Sequence, residues 1–591
     1  SLAVIGVGGH TTAQTLASGA NGGKLDIGSS GTLTLTGATD GLSRTEIGGT
    51  GTLNIAEGAS LGLAADSALS GVVLDLDGSL SLAADGSAGG LNGAGDLELN
   101  GQTLHIQAAS GQTHTYDGTL GAGTLDVSGA GTQVLRSSGA DTDLTVSGGN
   151  LVLQGKADVD GAHLSYGNLV NNGKLAIQAS DNALTAVNTT LSVENATFGS
   201  GSTTTFTLNT DADMTASFIK ASGDIVIENG AAFHVTSIPG VNITWKSGNP
   251  MELTLMELTG AGTIDLGENT LTVGGLFLTY YKNAHLVQEG DKVVLKAEEQ
   301  TDNIYAGVAD TANSMAGANL IWEAARHGSV DQAVTDFLAA LNDDMVNNPS
   351  AARRSLAAAA GSTVTSLGIA QRDALRDQMN WIRNRTNQMG VNPAYVNADL
   401  PYFHMWMQGT GSYAKLDTKG DESGYELTTW GGTVGMDVDI NDNFTAGAAF
   451  TANYGSLTAN AADTADGDLD SYYVNLFARY QSRKWSHLLI LTGGWNDAKL
   501  TRTVDYGTGS YQAHGSTTGS GFGAMYELAY DIALNEDKSV ILQPLFNASI
   551  VTTRMDGYSE SGSAGNVGLR VEDQELTTAA VAVGARLSGL M

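Results

Sequence analysis

At 591 residues the chain is too long for one ordinary hydrophobic core, so two or three units are expected. Gly is abundant at 78 residues, Pro is scarce at 6, Cys is absent and only 15% of residues are charged, which excludes both a disordered chain and a typical cytosolic enzyme. The formal net charge of −34 excludes a nucleic-acid binder, because such a surface repels phosphates at long range. There is no apolar run of about 18 residues to make a transmembrane helix. Ser1 is not followed by a basic and then apolar signal region, as expected if a signal peptide has been removed or the N-terminus is internal. Without cysteine, an exported chain has no disulfide staple and must be held by repetition or size.

From residue 1 to about 200 a short theme recurs: GGKLDIGSSGTLTLTG from Gly22, GGTGTLNIAEGASLGL from Gly48, GVVLDLDGSLSLAADG from Gly71 and GAGTLDVSGAGTQVL from Gly121. Leu25, Leu53, Leu74, Leu97, Leu125, Leu151 and Leu175 read as equivalent positions, at the spacing of one β-helix coil. Each unit alternates apolar and polar residues and then breaks at Gly or Asn, so it buries a face only by stacking on its neighbours. No Trp or Phe precedes Phe198, which weighs against a β-sandwich. Residues 201–300 bring in Phe206, Phe218, Phe233, Trp245, Phe277, Tyr280 and Tyr281, and read as a cap that closes the last open coil.

Residues 301–400 read as helices. Ser329 with Gln332 suggests a capping box, Asn348–Pro349 an N-cap with proline at N1, and Gly390 with Pro393 a stop. The stretch near 362–389 predicts a helix about 40 Å long, enough to traverse a membrane pore. Arg372, Arg376 and Arg383 share one of its faces, which reads either as a solvated basic face or as a face turned to lumenal acids.

Residues 401–591 hold 12 of the 18 Tyr, and their apolar side chains alternate strictly. Trp430, Val434, Met436 and Val438 oppose Asp437 and Asp439; Phe450 and Tyr454 oppose Asn453; Tyr472, Val474 and Tyr480 oppose Asn475 and Arg479. Tyr526, Leu528 and Tyr530 oppose Glu527 and Asp531, and Val581, Val583 and Leu587 oppose Arg586. One face suits lipid and the other a wet lumen, with Trp430, Tyr454, Tyr472, Tyr480, Tyr526 and Tyr530 as interface girdles of an antiparallel transmembrane β-barrel. Connections near 441–443, 481–484 and 535–539 read as short, those near 414–424, 456–468, 498–516 and 555–575 as long, the alternation of periplasmic turns and extracellular loops. Eight strands are expected. A helix about 10 to 12 Å across needs a wider pore than eight strands provide, so further strands are expected beyond Met591.

The glycine-rich repeats, the helix ending AQRDALRDQMNWIRNRTNQMG, then YFHMWMQGTGSYAKLD and YELTTWGGTVGMDVDI together resemble the classical (type Va) autotransporters. The resemblance implies a right-handed parallel β-helix passenger, a junction region at 201–300, a helical linker with a pore helix, and a twelve-stranded barrel of which about eight strands are present. It also implies an outer-membrane location with the passenger at the cell surface, and assembly by periplasmic chaperones and the barrel-assembly machinery in contact with outer-membrane lipid. Some members cleave themselves at an Asn-Asn pair inside the pore helix; here Asn347-Asn348 lies upstream of it. Arg372, Arg376 and Arg383 are then expected to meet Asp437, Asp439, Glu527 and Asp531.

Other motifs carry less. Gly58-Ala59-Ser60-Leu61-Gly62 matches the nucleophile pattern G-x-S-x-G but has no following helix, and reads as a turn. Asp75-Leu76-Asp77-Gly78 and Asp158-Val159-Asp160-Gly161 supply too few oxygens for calcium. Asp463, Asp466, Asp468 and Asp470 read as solvated loop charge, and the ten His lack ligand spacing. The expectation is a translocator displaying an adhesin-like or structural passenger toward an unknown host or surface ligand, with no catalytic residues, cofactor or metal. The alternative is a secreted enzyme with its catalytic domain N-terminal to Ser1.

Overall fold

Short strands that end at glycine leave backbone N–H and C=O groups without partners unless another strand lies alongside. The chain, described by a computed structural model, meets that demand in two ways. Residues 2–6, 8–17, 22–156, 162–180, 187–209, 218–237, 251–327, 332–389, 402–419, 423–482, 484–506, 509–535, 540–563 and 568–589 are described. They divide into two compact units, Ser1–Asp302 and Asn303–Met591.

In the first unit the strands stack coil upon coil. Thr45–Gly49, Thr52–Ile55 and Ser60–Leu63 make one coil, and Ala68–Ser70, Val73–Leu76 and Ser79–Ser81 the next. Like strands pair in parallel, giving three faces. Leu53, Leu74 and Leu91 stack on the second face and Leu61, Leu80, Leu97 and Leu120 on the third. Leu104, Leu125, Leu144 and Leu169 stack on the first. These leucines, all buried, line one continuous core. Where the coils bend, Gly78, Gly95 and Gly118 stack so closely that a Cβ at Gly95 would strike the Gly78 carbonyl, and one at Gly118 the Gly95 carbonyl.

The seven leucines read as equivalent in the sequence do not form one column. Leu25 and Leu125 lie on the first face, Leu53, Leu74, Leu151 and Leu175 on the second, and Leu97 on the third. All three faces use the same short Leu-rich strand, so spacing alone could not separate them.

Parallel stacking also runs past residue 200, to Ile264–Leu266 and Asn269–Val273. Phe198 packs on Phe233 (5.4 Å between ring centroids) and Phe206 on Phe218 (6.1 Å) inside ordinary coils, not at an end cap. On the third face the stack ends in antiparallel pairing, Met251–Leu258 with Lys292–Glu299 and that strand with Tyr281–Glu289. Phe277 and Tyr281 are buried there, whereas Trp245 lies outside the described residues.

One edge carries a directional side-chain ladder. The Asn168 N–H donates to Asp143 Oδ1 (2.7 Å), Asn195 Nδ2 to Asn168 Oδ1 (2.8 Å), the Asp224 N–H to Asn195 Oδ1 (2.7 Å) and the Thr263 N–H to Asp224 Oδ1 (2.7 Å). Each rung ties one coil to the next where the turn breaks the backbone ladder.

The second unit begins with helices α1 (Ala312–His327), α2 (Gln332–Asn347), α3 (Pro349–Ala359) and α4 (Val364–Met389). Asn348 caps α3 through the Ala351 N–H, with Pro349 at N1. Ser329, Gly390 and Pro393, expected to bound helices, lie outside the described residues. Eight long strands follow: β1 (Tyr402–Leu416), β2 (Gly424–Asn441), β3 (Phe444–Asn460), β4 (Thr464–Ser482), β5 (Trp485–Tyr506), β6 (Gly509–Tyr530), β7 (Val540–Met555) and β8 (Gln574–Gly589). They pair antiparallel in chain order, and among the described residues β1 pairs only with β2 and β8 only with β7.

Two of the expected long loops are strands. β3 and β4 pair out to Asn460 and Thr464, and β5 and β6 out to Tyr506 and Gly509. Ser456, Thr458, Asp466, Asp468, Lys499 and Asp505 of these spans are exposed, while Leu457, Ala459, Ala465, Leu469, Ala498, Leu500 and Val504 point inward and are buried.

Two outcomes follow from the stacking. Leu144→Ala should destabilise the solenoid by about 2–5 kcal/mol, while Thr145→Ala on the outer surface stays within about 0.5 kcal/mol, as read from urea unfolding of the full chain. The Thr263 N–H, and then its hydroxyl, hold the Asp224 carboxyl below the usual carboxylate value. That stabilisation is present above about pH 4 and is lost as pH falls through the folded value. Carboxyl titration by NMR should show the depression, and Thr263→Ala should reduce it.

Candidate functional site: the inner face of the sheet and its helix

Alternation along a strand sends successive side chains to opposite faces. Outward on the sheet lie Met405, Met407, Val434, Met436, Val474, Leu476, Leu489, Val581 and Val583, all large, apolar and exposed. Aromatic pairs bound this band. Toward the long hairpins Trp430 meets Tyr454 (5.2 Å) and Tyr472 meets Trp495 (5.9 Å); toward the short turns Tyr480 meets His487 (6.1 Å), His487 meets Tyr526 (6.2 Å), and Trp485 meets Tyr530 (4.8 Å). At about 3.4 Å per residue the span from Tyr472 to Tyr480 is about 27 Å, close to the apolar band of about 25 Å on membrane barrels. Beyond the upper pairs β5 and β6 continue to Tyr506 and Gly509, so their hairpin projects past that band.

The inner face holds α4. Arg385 at one edge lies over the Trp406 ring of β1 (5.1 Å), and at the other edge a Cβ on Gly368 would lie 2.8 Å from Gln574 of β8. The sheet therefore curls around the helix. The helix comes close along β6, where Gly519, Gly521 and Gly523 face inward. A Cβ on each would fall 2.7 Å from Gln371, 2.9 Å from Leu375 and 2.6 Å from Met379, residues four apart on α4. Three glycines thus form a groove for one stripe of the helix.

Two apolar clusters and a set of polar pairs hold α4 there. Leu367 and Ala370 pack with Tyr425, Leu427, Leu457, Leu469 and Leu500; Leu375, Met379 and Ile382 pack with Tyr473, Phe477, Leu488, Ile490 and Met525. Gln371 donates to Asn496 (2.5 Å), and Gln378 to Thr451 (2.7 Å), which also bonds Thr433 (2.8 Å). Near the short-turn end Glu527, only 4% exposed, accepts from Asn387 (3.1 Å) and from Arg586 (3.0 Å) and lies 3.8 Å from Arg383.

The predicted site residues are distributed as follows. Arg383, Glu527 and Arg586 come together, and Arg479 reaches the Thr386 carbonyl (3.4 Å). Asp437 pairs with His404 (3.0 Å), Asp439 accepts from Thr445, Asn453 from Thr410 (3.1 Å), Asn475 from Thr492 (2.8 Å) and Asp531 from Gln543 (2.6 Å). The expected meeting of Arg372 and Arg376 with barrel acids does not occur. Arg372 bonds Asp373 (2.7 Å) and Arg376 sits beside Asp377, both on α4 itself. Trp430, Tyr454 and Tyr480 are exposed on the outer face; Tyr472, Tyr526 and Tyr530 join the ring pairs above.

The reading of the lumen as uniformly wet missed Tyr473, Phe477, Leu488 and Ile490. A signal was present: Leu488-Leu489-Ile490-Leu491 is apolar without alternation, the mark of a strand covered on both faces. Asp463, read as solvated, is buried at 1% exposure and accepts from Thr363 (2.7 Å) and Ser362. Ser60 of the G-x-S-x-G match lies in a strand paired with Ser79, after a turn with Gly58 at φ +77°. Asp75 accepts from Asn54 (2.9 Å), whereas residues 158–161 lie outside the described residues. No group of three metal-ligating side chains occurs among the described residues.

Residues 405–591 match the family described as Autotransporter beta-domain. Outer membrane protein B of Rickettsia conorii is 24% identical over 547 residues, covering 83% of this chain and 32% of that protein. Esterase EstA of Pseudomonas aeruginosa is 32% identical over 166 residues, 28% of this chain and 25% of the esterase. The chain thus spans a quarter to a third of the length of these curated relatives. The translocator domain of autotransporter NalP from Neisseria meningitidis is similar over 36% of this chain and 70% of that one, with 18% identity and a TM-score of 0.27.

Glu527 ties the helix to two strands, so Glu527→Ala should cost about 1–3 kcal/mol by stranding Arg383 and Arg586. Asp531→Ala, which loses one contact to Gln543, should cost less. Gly521→Val should displace α4 at Leu375. All three are read as shifts in the temperature at which the folded barrel loses its compact mobility on a detergent gel.

Proposed function

We propose that this chain, a classical autotransporter whose β-domain sits in the outer membrane with its solenoid at the cell surface, carries that solenoid across the membrane through its own barrel. One observation supports this most directly. α4 runs along the inner face with Asn387 of its last turn at the short-turn end, on Glu527, while Ser362 and Thr363 before its N-terminus bond Asp463 at the long-hairpin end. The chain that precedes α4 therefore leaves by the end that, in such barrels, faces the exterior. Stacking coil on coil would then disfavour return of the chain without an external energy source.

The displayed solenoid is read as an adhesive or structural surface element and not as an enzyme. Its outward positions carry Thr, Ser and Asn on regular strands, and its nucleophile-like motif is a turn and a paired strand. Outer-membrane lipid contacts the apolar band, and the barrel-assembly machinery and periplasmic chaperones are the proposed assembly partners.

Protease added to intact expressing cells should remove residues 1–302 and leave a membrane-embedded fragment containing 405–589. Digestion only after lysis would refute surface display. Ester hydrolysis that rises with expression of this chain would instead favour the enzymatic reading suggested by the name of the esterase relative.

A further inference from the structure

Helices α1, α2 and α3 do more than connect. α1 lies against α3 so closely that a Cβ on Gly317 would collide with the Leu356 carbonyl. Phe337 of α2 is fully buried and packs edge-on against Tyr506 (5.4 Å) and Tyr511 (6.0 Å), the residues flanking the projecting β5–β6 hairpin. Gly361, at φ +74°, reverses the chain between α3 and α4.

Beneath these helices lies Arg502 of β5, with no exposed surface. Its Nη1 donates to the Ala358 carbonyl in the last turn of α3 (3.0 Å) and lies 3.9 Å from Asp463 of the β3–β4 connection. Its Nε donates to Glu560 of the β7–β8 connection (2.9 Å), and its Nη2 binds the same carboxylate. Asp463 in turn accepts from Ser362 and Thr363 at the start of α4. One buried guanidinium therefore gathers the helical segment, two hairpin connections and, through Asp463, the head of the pore helix. Removing the guanidinium would leave Asp463 and Glu560 buried without a countercharge.

We infer that α1–α3 form a lid seated on the long-hairpin end of the barrel, latched by Arg502 and by Phe337 on Tyr506 and Tyr511. The segment precedes α4 in the chain, so in a chain leaving the barrel it must clear the end it then covers. The inference rests on the orientation stated under Proposed function.

The absence of cysteine permits a direct test. Ala513 lies inward on β6, fully buried two residues beyond Tyr511. Ala513→Cys in the full chain is labelled on intact cells with a membrane-impermeant maleimide, alone and with Phe337→Ala or Arg502→Met. Labelling should be slow in the parent and at least about tenfold faster with either substitution. Phe337→Ala leaves every strand residue unchanged, and retained compact gel mobility identifies variants whose barrel is intact. Equal labelling rates in parent and folded variants would overturn the lid. Fast labelling of the variants only after lysis would leave the lid standing and refute the orientation, and with it surface display through this end.

Discussion

The backbone hydrogen bond of the β-strand is the constraint from which both units follow. A strand carries a donor and an acceptor at every residue, and each buried group without a partner costs free energy. In Ser1–Asp302 the partner is the next coil of the same chain, so pairing is parallel and the core is a column of leucines. In Asn303–Met591 the partner is the next strand along, so pairing is antiparallel, and the side chains divide between an outer apolar band and an inner face. In hydrocarbon this pairing is obligatory, since no water can substitute.

Wrapping strands around a helix then raises a second demand, that helix and sheet approach closely. It is met by omission of side chains at Gly519, Gly521 and Gly523 and by large ones elsewhere on the inner face. The polar contacts set register within that apolar seat: Gln371 to Asn496 and Gln378 to Thr451 lie on one stripe of α4, and Asn387 to Glu527 on the opposite side of the helix. Away from the membrane band the hairpins go on pairing, which gives Arg502 a dry site in which to join segments far apart in the chain.

Much of this was legible in the sequence. Coil repeats, the change from a repeat of Gly and Leu to strict aromatic alternation, the Asn348–Pro349 cap and eight strands all rest on short-range periodicity. What was misread concerns identical local patterns in different places. Seven leucines look alike whichever face of a coil they occupy, and SLTANAADTADGD reads as a loop although it pairs as two strands. Arg372 and Arg376 share a stripe with Arg383, yet only Arg383 reaches the wall.

By itself the sequence determined that one part of the chain stacks and another spans lipid, because spacing of apolar residues along a strand dictates which faces must be covered. Only the tertiary structure decided which face of α4 meets the sheet, that Asp463 is buried and not solvated, and that Arg502 binds Ala358, Asp463 and Glu560 at once. Those outcomes depend on residues brought together across long stretches of chain. Local pattern carries no record of them, because the groove, the dry pocket and the partners exist only once the strands have curled around the helix.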